Sequence, residues 1–359
     1  MKKISIIVVG SSNTDMTIKL DRIPRPGETI LGGEFVTAAG GKGANQAVSA
    51  ARAGGKVTLI ARVGRDMFGE ESIAGFRRAG INLNHIVRDA AAPSGVALIF
   101  VAKDGENSIA VAGGANGRLS PADVKMAELA FASATAVLMQ LETPLETVQA
   151  TAELAAKAGI KFILNPAPAR PLPDKLLKLV SILTPNETEA ELLTGIEVSD
   201  VRTAVQAADK LLARGVATVI LTLGARGAFV ASAEIRQLVP GFKVNPVDTT
   251  GAGDTFNGTL AVALGEGRAL MDAVRFANAA AAISVTRLGA QPSAPTRQEI
   301  DQFLQSQSQL DQVREDSNGF TRFTSSNRQD GQRDPTLTTD PAQTARALEA
   351  IVHLTVQPP

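Results

Sequence analysis

Cysteine, tryptophan and tyrosine are absent from this chain of 359 residues, and histidine occurs only twice, at His85 and His353. Without cysteine the chain cannot form disulfides, thiolate nucleophiles or Cys-ligated zinc and iron–sulfur sites. Two histidines also exclude a His-rich catalytic metal site, so any metal must bind to oxygen ligands, which suit Mg²⁺ or a monovalent cation. The missing tryptophan and tyrosine argue against stacking of single-stranded nucleic acid. We expect His85 in a loop, without chemistry.

An excess of charge of one sign and a long apolar run are absent too. Lys plus Arg and Asp plus Glu number 36 each, which argues against a general nucleic-acid or membrane-surface binder. The run ISIIVV at residues 4–9 ends at Gly10 and is far shorter than the ~20 apolar residues of a membrane helix. We interpret it as a buried first strand and not as a signal peptide, and we expect a soluble, cytoplasmic protein.

The length and the apolar pattern favour one large α/β domain with an appendage, or two domains. Short β-branched runs alternate with longer alanine-rich stretches, which predicts a mostly parallel sheet with helices on its faces. The predicted strands are 4–10, 57–62, 136–141, 161–165, 180–184 and 217–223, with an antiparallel extension at 227–232, 235–239 and 242–247. The predicted helices are 43–53, 68–79, 121–131, 145–158, 201–214, 254–265 and 269–287.

Two strand-like stretches, residues 15–38 and 95–111, lie outside this alternation. They predict a small separate sheet with one apolar face that needs a cover. That sheet is either a lid over a site or a plain surface hairpin. From Ser306 onward the composition shifts to Gln, Ser, Asp, Arg and Thr. This shift predicts a folded domain over 1–305 and a polar, disordered tail without chemistry over 306–359.

The segment VDTTGAGDTFNG, residues 247–258, carries the sharpest chemical signal. A turn with Gly251 and Gly253 lies between an extended run and a helix that begins at Asp254. Backbone N–H groups therefore converge at a helix N-terminus and form an anion cradle. Asp254 is either an ordinary residue of a helix start or a base that takes a hydroxyl proton while the N–H groups hold a transferring phosphoryl group.

The segment AGGKGANQAV, residues 39–48, is also glycine-rich and opens a helix. Its Lys42 is followed by Gly43, so it does not match the Walker A pattern, which needs Ser or Thr at that place. The segment is either a simple glycine-rich turn or a close backbone approach to a small polar ligand. In the second case Lys42 and Asn45 are donors to hydroxyl groups.

Polar side chains follow several of the predicted strands, at the ends where open α/β sheets bind ligands. Asn13 and Asp15 come after the first strand, Glu142 follows AVLMQL, and Asn165 follows KFIL. A single pair of this kind would be solvated loop residues. Their recurrence favours a polar site, because the edge of a sheet needs none of them.

Two further segments each have two interpretations. In TPNETEAE, residues 184–191, Asn186 and Glu189 fit a capping box at a helix start. Alternatively, Glu189 orients waters around a phosphate-bound Mg²⁺. TLGARGA, residues 222–228, is either a hairpin turn or a loop that contacts phosphate.

Together these residues resemble the ribokinase-like, or pfkB, carbohydrate kinases. The resemblance covers residues 4–303 and rests on GGKGANQAV at 40–48 and DTTGAGDTFNG at 248–258, which occur in the family's order. It implies a doubly wound, mostly parallel α/β sheet flanked by helices, with a small β-sheet lid formed by about 14–40 and 94–111. It also implies a homodimer through that lid.

The resemblance further implies a role for each residue that matches the family's pattern. Sugar contacts are implied for Asn13, Asp15, Gly41, Lys42, Asn45, Glu142 and Asp254. Asp254 is also implied as the base, with the amides of Gly251, Ala252 and Gly253 as the anion hole. ATP contacts are implied for Asn186, Thr222, Gly224, Gly227, Gly253 and Asn278, with Glu189 near Mg²⁺ through water. An activating potassium ion (K⁺) is implied at Asp248, Thr250, Ser284, Arg287, Gly289 and Ser293, in part through backbone carbonyls.

The implied activity is ATP-dependent phosphorylation of a sugar hydroxyl. LNPAPAR at 164–170 and TPNETEAE at 184–191, together with GGKGANQAV, favour family members that phosphorylate D-ribose at the 5-hydroxyl to give ribose 5-phosphate and ADP. The nearest alternatives are kinases for deoxyribose, a fructose phosphate or a nucleoside. A non-catalytic sugar-binding regulator is the alternative from another class.

Overall fold

The computed structural model describes residues 4–309, and the larger of the chain's two units comprises residues 1–305. The prediction for the tail falls on 306–359, which lies outside the described residues except for 306–309. The strands are β1 (Ser5–Val9), β2 (Asn13–Leu20), β3 (Glu34–Gly40), β4 (Lys56–Gly64), β5 (Asn82–Asp89), β6 (Gly95–Ala102), β7 (Asn107–Ala112), β8 (Ala136–Met139), β9 (Lys161–Leu164), β10 (Ile182–Leu183), β11 (Thr218–Thr222), β12 (Gly227–Ala231) and β13 (Arg236–Pro240). The helices are α1 (Lys42–Arg52), α2 (Met67–Arg78), α3 (Pro121–Lys125), α4 (Glu128–Phe131), α5 (Leu145–Ala158), α6 (Asp174–Leu177), α7 (Glu187–Thr194), α8 (Val201–Ala213), α9 (Ala252–Gly265), α10 (Leu270–Ser284) and α11 (297–309).

The main sheet has the strand order β13-β12-β11-β10-β9-β8-β1-β4-β5. From β5 to β11 all neighbours are parallel, whereas β12 and β13 pair antiparallel. The chain builds outward from β1 in both directions, first to β4 and β5 and later to β8 and beyond. The sheet is therefore doubly wound with its switch point at β1, and the predicted fold class is confirmed.

This sheet is buried on both faces. Ile7 and Val9 of β1 pack in an apolar cluster with α5 and α8, whereas Ile6 and Val8 pack in a second cluster with α1, α9 and α10. Successive side chains of a strand point to opposite faces, so burial on both sides requires a continuous apolar run such as ISIIVV. Within residues 4–309, no helix combines the length and the apolar character needed to cross a membrane.

Several parts of the sequence-based prediction are wrong, and helices α6 and α11 were not predicted. Residues 242–247 form no strand, and Pro246 among them has no N–H group to donate to a ladder. Residues 121–131 form two short helices, α3 and α4, where one was expected. β5 is missing from the prediction because this edge strand, NLNHIVRD, lacks a clear apolar alternation. His85 accordingly lies in a strand and not in a loop.

A second, four-stranded sheet has the order β3-β2-β6-β7, which confirms the small separate sheet. Asn13 at the start of β2 pairs with Gly40 at the end of β3 and with Gly95 at the start of β6. Because β1 ends at Val9, this end of the small sheet directly follows the carboxyl end of the central strand. The small sheet therefore adjoins the edge of the main sheet at which the predicted site residues lie.

The face of the small sheet opposite Asp15 is apolar. Cross-strand partners share a face, and Ile18 pairs with both Phe35 and Phe100, while Met16 pairs with Leu98. We call these five residues, Met16, Ile18, Phe35, Leu98 and Phe100, the outer lid face. Phe35 is 63% exposed and Leu98 48% exposed, so the described residues leave much of this face uncovered.

Candidate active site

The polar residues of the predicted site gather at the carboxyl edge of the main sheet. β1, β8 and β9 end there, and α1 and α9 begin there. The two glycine-rich segments meet at this edge, because Asn45 of α1 donates from Nδ2 to Asp254 Oδ2 of α9 at 2.9 Å. These residues are 209 positions apart in the sequence. The fold thus assembles the site from distant segments.

The start of α9 has the form of an anion cradle. Gly251 is the N-cap residue in a left-handed conformation, with φ of 73°, and no side chain of the described residues caps the helix. A β-carbon at Gly251 would lie 2.7 Å from the Cβ of Ala290, whereas one at Gly253 would meet no described protein atom within 4 Å. The Ala252 N–H donates to the Thr249 carbonyl at 3.2 Å. The start of the helix and its dipole nevertheless face an open space beside Gly253 that suits an anion.

Asp254, in the first turn of α9, is 7% exposed. Its Oδ2 accepts from Asn45, and its Oδ1 accepts from Gln46 Nε2 at 2.9 Å. Burial raises the pKa of Asp254, while the Lys42 ammonium and the two amides act in the opposite direction. A carboxylate with a raised pKa is a stronger base, which suits the removal of a proton from a hydroxyl group.

The sequence reasoning missed a chain of amides behind Asp254. Gln46 also donates from Nε2 to Asn165 Oδ1 at 3.0 Å, and its Oε1 accepts from Gln140 Nε2 at 2.6 Å. Gln46 is adjacent to Asn45 in the glycine-rich segment, and Gln140 directly follows β8. The polar side chain at the end of a buried strand was the signal that could have identified Gln140.

Lys42 and Asp15 lie among several charged groups. Burial acts to lower the pKa of Lys42, but nearby carboxylates, Asp254 and Glu142 foremost, outweigh it and raise the pKa. Burial, together with Glu142 and Asp254, raises the pKa of Asp15 to about 6, against an opposing effect of Lys42. A β-carbon at Gly40 would lie 2.2 Å from the Asp15 carboxylate. Glycine at position 40 therefore gives this carboxylate its space.

The Glu142 carboxylate forms hydrogen bonds with the segment that follows β1 and with the start of α1. Its Oε2 accepts from the Ser11 hydroxyl and, at 2.9 Å, from the backbone N–H of Lys42. Ser11 Oγ in turn accepts from the N–H of Gly43 at 3.2 Å. Ser11 is absent from the sequence prediction, yet it holds the Glu142 carboxylate and the start of α1 in one arrangement.

Asn13 has a fixed amide orientation. Asn116 donates from Nδ2 to Asn13 Oδ1 at 2.7 Å, and its own Oδ1 accepts from the N–H of Ser12 at 2.9 Å. The Nδ2 group of Asn13 is therefore the one that remains for a ligand. Gly41 has a φ of 88°, and a β-carbon there would lie 2.6 Å from the backbone N of Asn13, so the close approach of these segments requires glycine.

A cavity of about 170 Å³ connects the anion cradle with the helix start of α7. It is lined by Lys42, Asn165, Ala167, Thr184, Asn186, Glu189, Thr222, Thr249, Gly251, Ala252, Gly253, Asp254 and Asn257. The predicted base, anion hole and part of the predicted nucleotide contacts thus share one concave space.

The predicted ATP contacts do not all line this cavity. Asn186 and Thr222 do, and they form an isolated parallel bridge with each other. Gly224 and Gly227 lie just beyond, at the turn into β12, where a β-carbon at Gly227 would lie 2.2 Å from a carbonyl oxygen. Asn278 is buried and donates to two backbone carbonyls at the end of β13. In this structure Gly227 and Asn278 thus stabilise the turn and the end of the hairpin.

Glu189 lies in the cavity wall and forms a capping box with Asn186. Its Oε2 accepts from the Asn186 N–H at 3.0 Å and its Oε1 from Asn186 Nδ2 at 3.1 Å. Burial raises the pKa of Glu189, whereas the Asn186 N–H and Lys42 lower it. No group of three or more acidic or histidine side chains within the described residues could bind a metal ion. The Glu189 carboxylate in the cavity wall fits a place beside a Mg²⁺ that is held mainly by water and by ligand phosphates.

The residues predicted to bind a monovalent cation lie in two segments that contact each other. Asp248 Oδ1 accepts from the Thr250 N–H at 2.9 Å and its Oδ2 from the Gly289 N–H at 2.8 Å. Burial acts to raise the pKa of Asp248, but these hydrogen bonds outweigh it and lower the pKa. The N–H groups of Val247 and Asp248 both donate to the Val285 carbonyl.

The other three predicted cation residues, Ser284, Arg287 and Ser293, belong to the second of these segments. Ser293 is buried and donates to the Ala290 carbonyl, and the Ser284 carbonyl accepts from the Arg287 N–H. Carboxylate and carbonyl oxygens are the donors that hard cations prefer, so the residues fit such an ion.

Comparison with known proteins agrees with this geometry. Residues 3–297 match the family model described as pfkB family carbohydrate kinase. The ribokinase of Haemophilus influenzae is 49% identical over 301 residues, 84% of this chain and 98% of the relative. A deoxyribokinase of Salmonella typhi is 38% identical over 83% of this chain and 98% of the relative. The structure of Arabidopsis thaliana ribokinase complexed with ribose and ATP has a TM-score of 0.78 and 35% identity, and the match covers 85% of this chain and 99% of that chain.

Proposed function

Because this chain belongs to the pfkB family of carbohydrate kinases, we propose that it transfers the γ-phosphoryl group of ATP to the 5-hydroxyl of D-ribose. The products are ribose 5-phosphate and ADP. The observation that carries the proposal is the buried Asp254 carboxylate, which adjoins the open anion cradle at the start of α9 and shares a cavity with Lys42 and Glu189. The 49% identity to the ribokinase of Haemophilus influenzae over most of the chain supports ribose as the substrate.

Asp254 acts as the base in this proposal. It takes the proton of the sugar hydroxyl as that oxygen forms a bond to the γ-phosphorus and the bond from the γ-phosphorus to the bridging oxygen of ADP breaks. The transition state of phosphoryl transfer is loose, so alignment of the reacting atoms and stabilisation of charge contribute most of the rate. A carboxylate held on both oxygens by Asn45 and Gln46 fits the need for alignment.

The amides of Gly251, Ala252 and Gly253 stabilise the negative charge on the transferring group. The backbone of the helix start holds them in place before the reaction, and the Ala252 N–H would be shared between the phosphoryl group and the Thr249 carbonyl. Mg²⁺, when bound to the nucleotide, neutralises charge on the phosphate oxygens, and Glu189 would orient its water ligands. ATP would contact Asn186 and Thr222 in the cavity wall, with Gly224, Gly227 and Asn278 at the adjoining hairpin.

The sugar would bind between the small sheet and the edge of the main sheet. Asn13 offers its Nδ2 group, because its Oδ1 already accepts from Asn116. Asp15 and Glu142 offer carboxylate oxygens to sugar hydroxyls, and Lys42 and Asn45 offer donors. The opposite charges of these groups fit a neutral polyhydroxyl ligand, which both donates and accepts.

Potassium activation and dimer formation complete the proposal. A potassium ion would bind to oxygens of the segments with Asp248 and Gly289, whose contact orders the turn that leads to the anion cradle. A second copy of the chain would cover the outer lid face, which is apolar and partly exposed. We propose the cytoplasm as the place of the reaction, since ATP is the second substrate.

A kinase for deoxyribose is the second candidate, and the 38% identity to a deoxyribokinase favours it over the other sugars. The test is coupled release of ADP with MgATP, with and without potassium, over ribose, deoxyribose, fructose, fructose phosphates and adenosine. We expect the highest kcat/KM with ribose. Activity with only another sugar would change the proposed substrate and leave the proposed mechanism unchanged. Sugar binding without turnover would favour a non-catalytic regulator.

A further inference from the structure

Gln46 lies behind the Asp254 carboxylate and is completely buried. A side chain without exposed surface cannot contact a sugar or a nucleotide, so its polar groups act only on the protein. One of its two amide hydrogens is donated to Asp254 Oδ1 at 2.9 Å. Asn45, the other donor to this carboxylate, retains 7% exposure and is a predicted sugar contact. Gln46 is therefore a purely internal partner of Asp254.

The orientation of the Gln46 amide is determined by its three partners. Its second hydrogen is donated to Asn165 Oδ1 at 3.0 Å, and its Oε1 accepts from Gln140 Nε2 at 2.6 Å. A flipped amide would lose all three hydrogen bonds and would place Oε1 against a carboxylate oxygen. Gln140 and Asn165 directly follow β8 and β9, so two strand ends of the main sheet hold this side chain.

We propose that Gln46, oriented by Gln140 and Asn165, is a positioning residue that holds the Asp254 carboxylate in place and keeps it ionised for removal of the substrate proton. The inference rests on the proposed function, because it assigns Asp254 the role of base. A hydrogen bond to a charged, buried group is stronger than one between neutral groups. Asn165 in turn donates from Nδ2 to the Thr184 carbonyl at 3.1 Å, so the chain of amides links the reacting carboxylate to the edge of the sheet.

The test is replacement of Gln46 by methionine, which has a similar shape and no amide. We expect kcat with ribose to fall about tenfold to a hundredfold, the range of one hydrogen bond to a charged group. The dissociation constant of ribose, measured by calorimetry, should change by less than about twofold, because Gln46 does not reach the ligand. The acid limb of the kcat profile should move to higher pH, since the ionised form loses one donor. The charges of Lys42, Glu142, Asp15 and Glu189 still act on Asp254 in the variant.

Two further variants separate positioning from stability. Gln46→Met leaves the Gln140 Nε2 group buried without its partner, which lowers stability by itself. The double variant Gln46→Met with Gln140→Met removes that group as well. We expect it to recover part of the lost melting temperature and none of the lost rate. Gln149→Met on α5, where the half-buried side chain donates to Glu153 at 2.8 Å, should leave kcat, the ribose dissociation constant and the acid limb unchanged.

The outcomes are distinct. A kcat within about twofold of the unmodified protein, or an unmoved acid limb, in folded Gln46→Met or in the double variant would overturn the positioning role. A loss of ribose affinity as large as the loss of rate would overturn it too, because Gln46 would then act on sugar binding. Absence of turnover in the unmodified protein would overturn the proposed function and this inference with it.

Discussion

Replacement of Gly253 by alanine is expected to stabilise the fold and to damage the reaction at the same time. Gly253 is the second residue of α9, and its φ lies outside the positive range. The backbone therefore accepts alanine without strain. A β-carbon at this position would have open space around it, and Gly253 lines the cavity that contains the anion cradle.

The size of both effects follows from this geometry. Alanine is better than glycine in a helix by about 0.5–1 kcal/mol, so the free energy of unfolding should rise by up to this amount. Because Gly253 lines the cavity, we expect the new methyl group to crowd the space proposed for the transferring phosphoryl group. We expect kcat/KM for ATP to fall at least about tenfold, since a lost contact in an oxyanion hole costs about 10²–10³.

Two glycine variants serve as comparisons. Gly75→Ala on α2 would place its β-carbon at an ordinary 3.8 Å from Arg78, so it should raise stability similarly and leave activity unchanged. Gly251→Ala should lower stability by at least about 1–2 kcal/mol, because its φ of 73° is left-handed and its β-carbon would lie 2.7 Å from that of Ala290. The assays are urea unfolding and coupled ADP release. Normal turnover in a stabilised Gly253→Ala protein would refute the proposed anion hole.

Two other predictions concern the small sheet. Burial and the carboxylates Glu142 and Asp254 raise the pKa of Asp15 to about 6. If the ionised form of Asp15 binds the sugar, KM for ribose should be constant above about pH 7 and rise up to about tenfold per pH unit below pH 6. A flat KM down to pH 5 in a folded protein would contradict this role. The variant Phe35→Glu on the outer lid face should sediment as a monomer where the unmodified protein sediments as a dimer, because a buried, unpaired charge opposes association. An unmodified protein that sediments as a monomer would contradict the proposed dimer.

Local sequence patterns were sufficient for much of the site. Asp254 and the glycines before it form a helix start within one short segment, and Asn13 and Glu142 each follow a strand. Because carboxyl ends of parallel strands meet at one edge, the alternation of strands and helices also predicted that these residues come together. The doubly wound sheet was predictable for the same reason, since strands buried on both faces are continuous apolar runs.

Contacts that depend on tertiary structure were not predictable in this way. The bond from Gln46 to Asp254 joins residues 208 positions apart, and neither residue carries a local signal for the other. Asn116, which orients Asn13, lies in a 3₁₀ turn 103 positions away. β5 was missed because an edge strand with half-buried polar residues has no apolar period. The strand at 242–247 was predicted from composition, but Pro246 within it has no N–H group to donate to a ladder.

The central claim is that Asp254 removes the proton of a ribose hydroxyl during phosphoryl transfer from ATP. The most direct test compares the unmodified protein with Asp254→Asn, with ³¹P NMR to identify the product and calorimetry to measure ribose binding. We expect ribose 5-phosphate from the unmodified protein, and from the variant a rate at least about 10²-fold lower with ribose affinity nearly retained. Near-normal turnover by the variant, or ribose binding without any phosphoryl transfer by the unmodified protein, would contradict the claim.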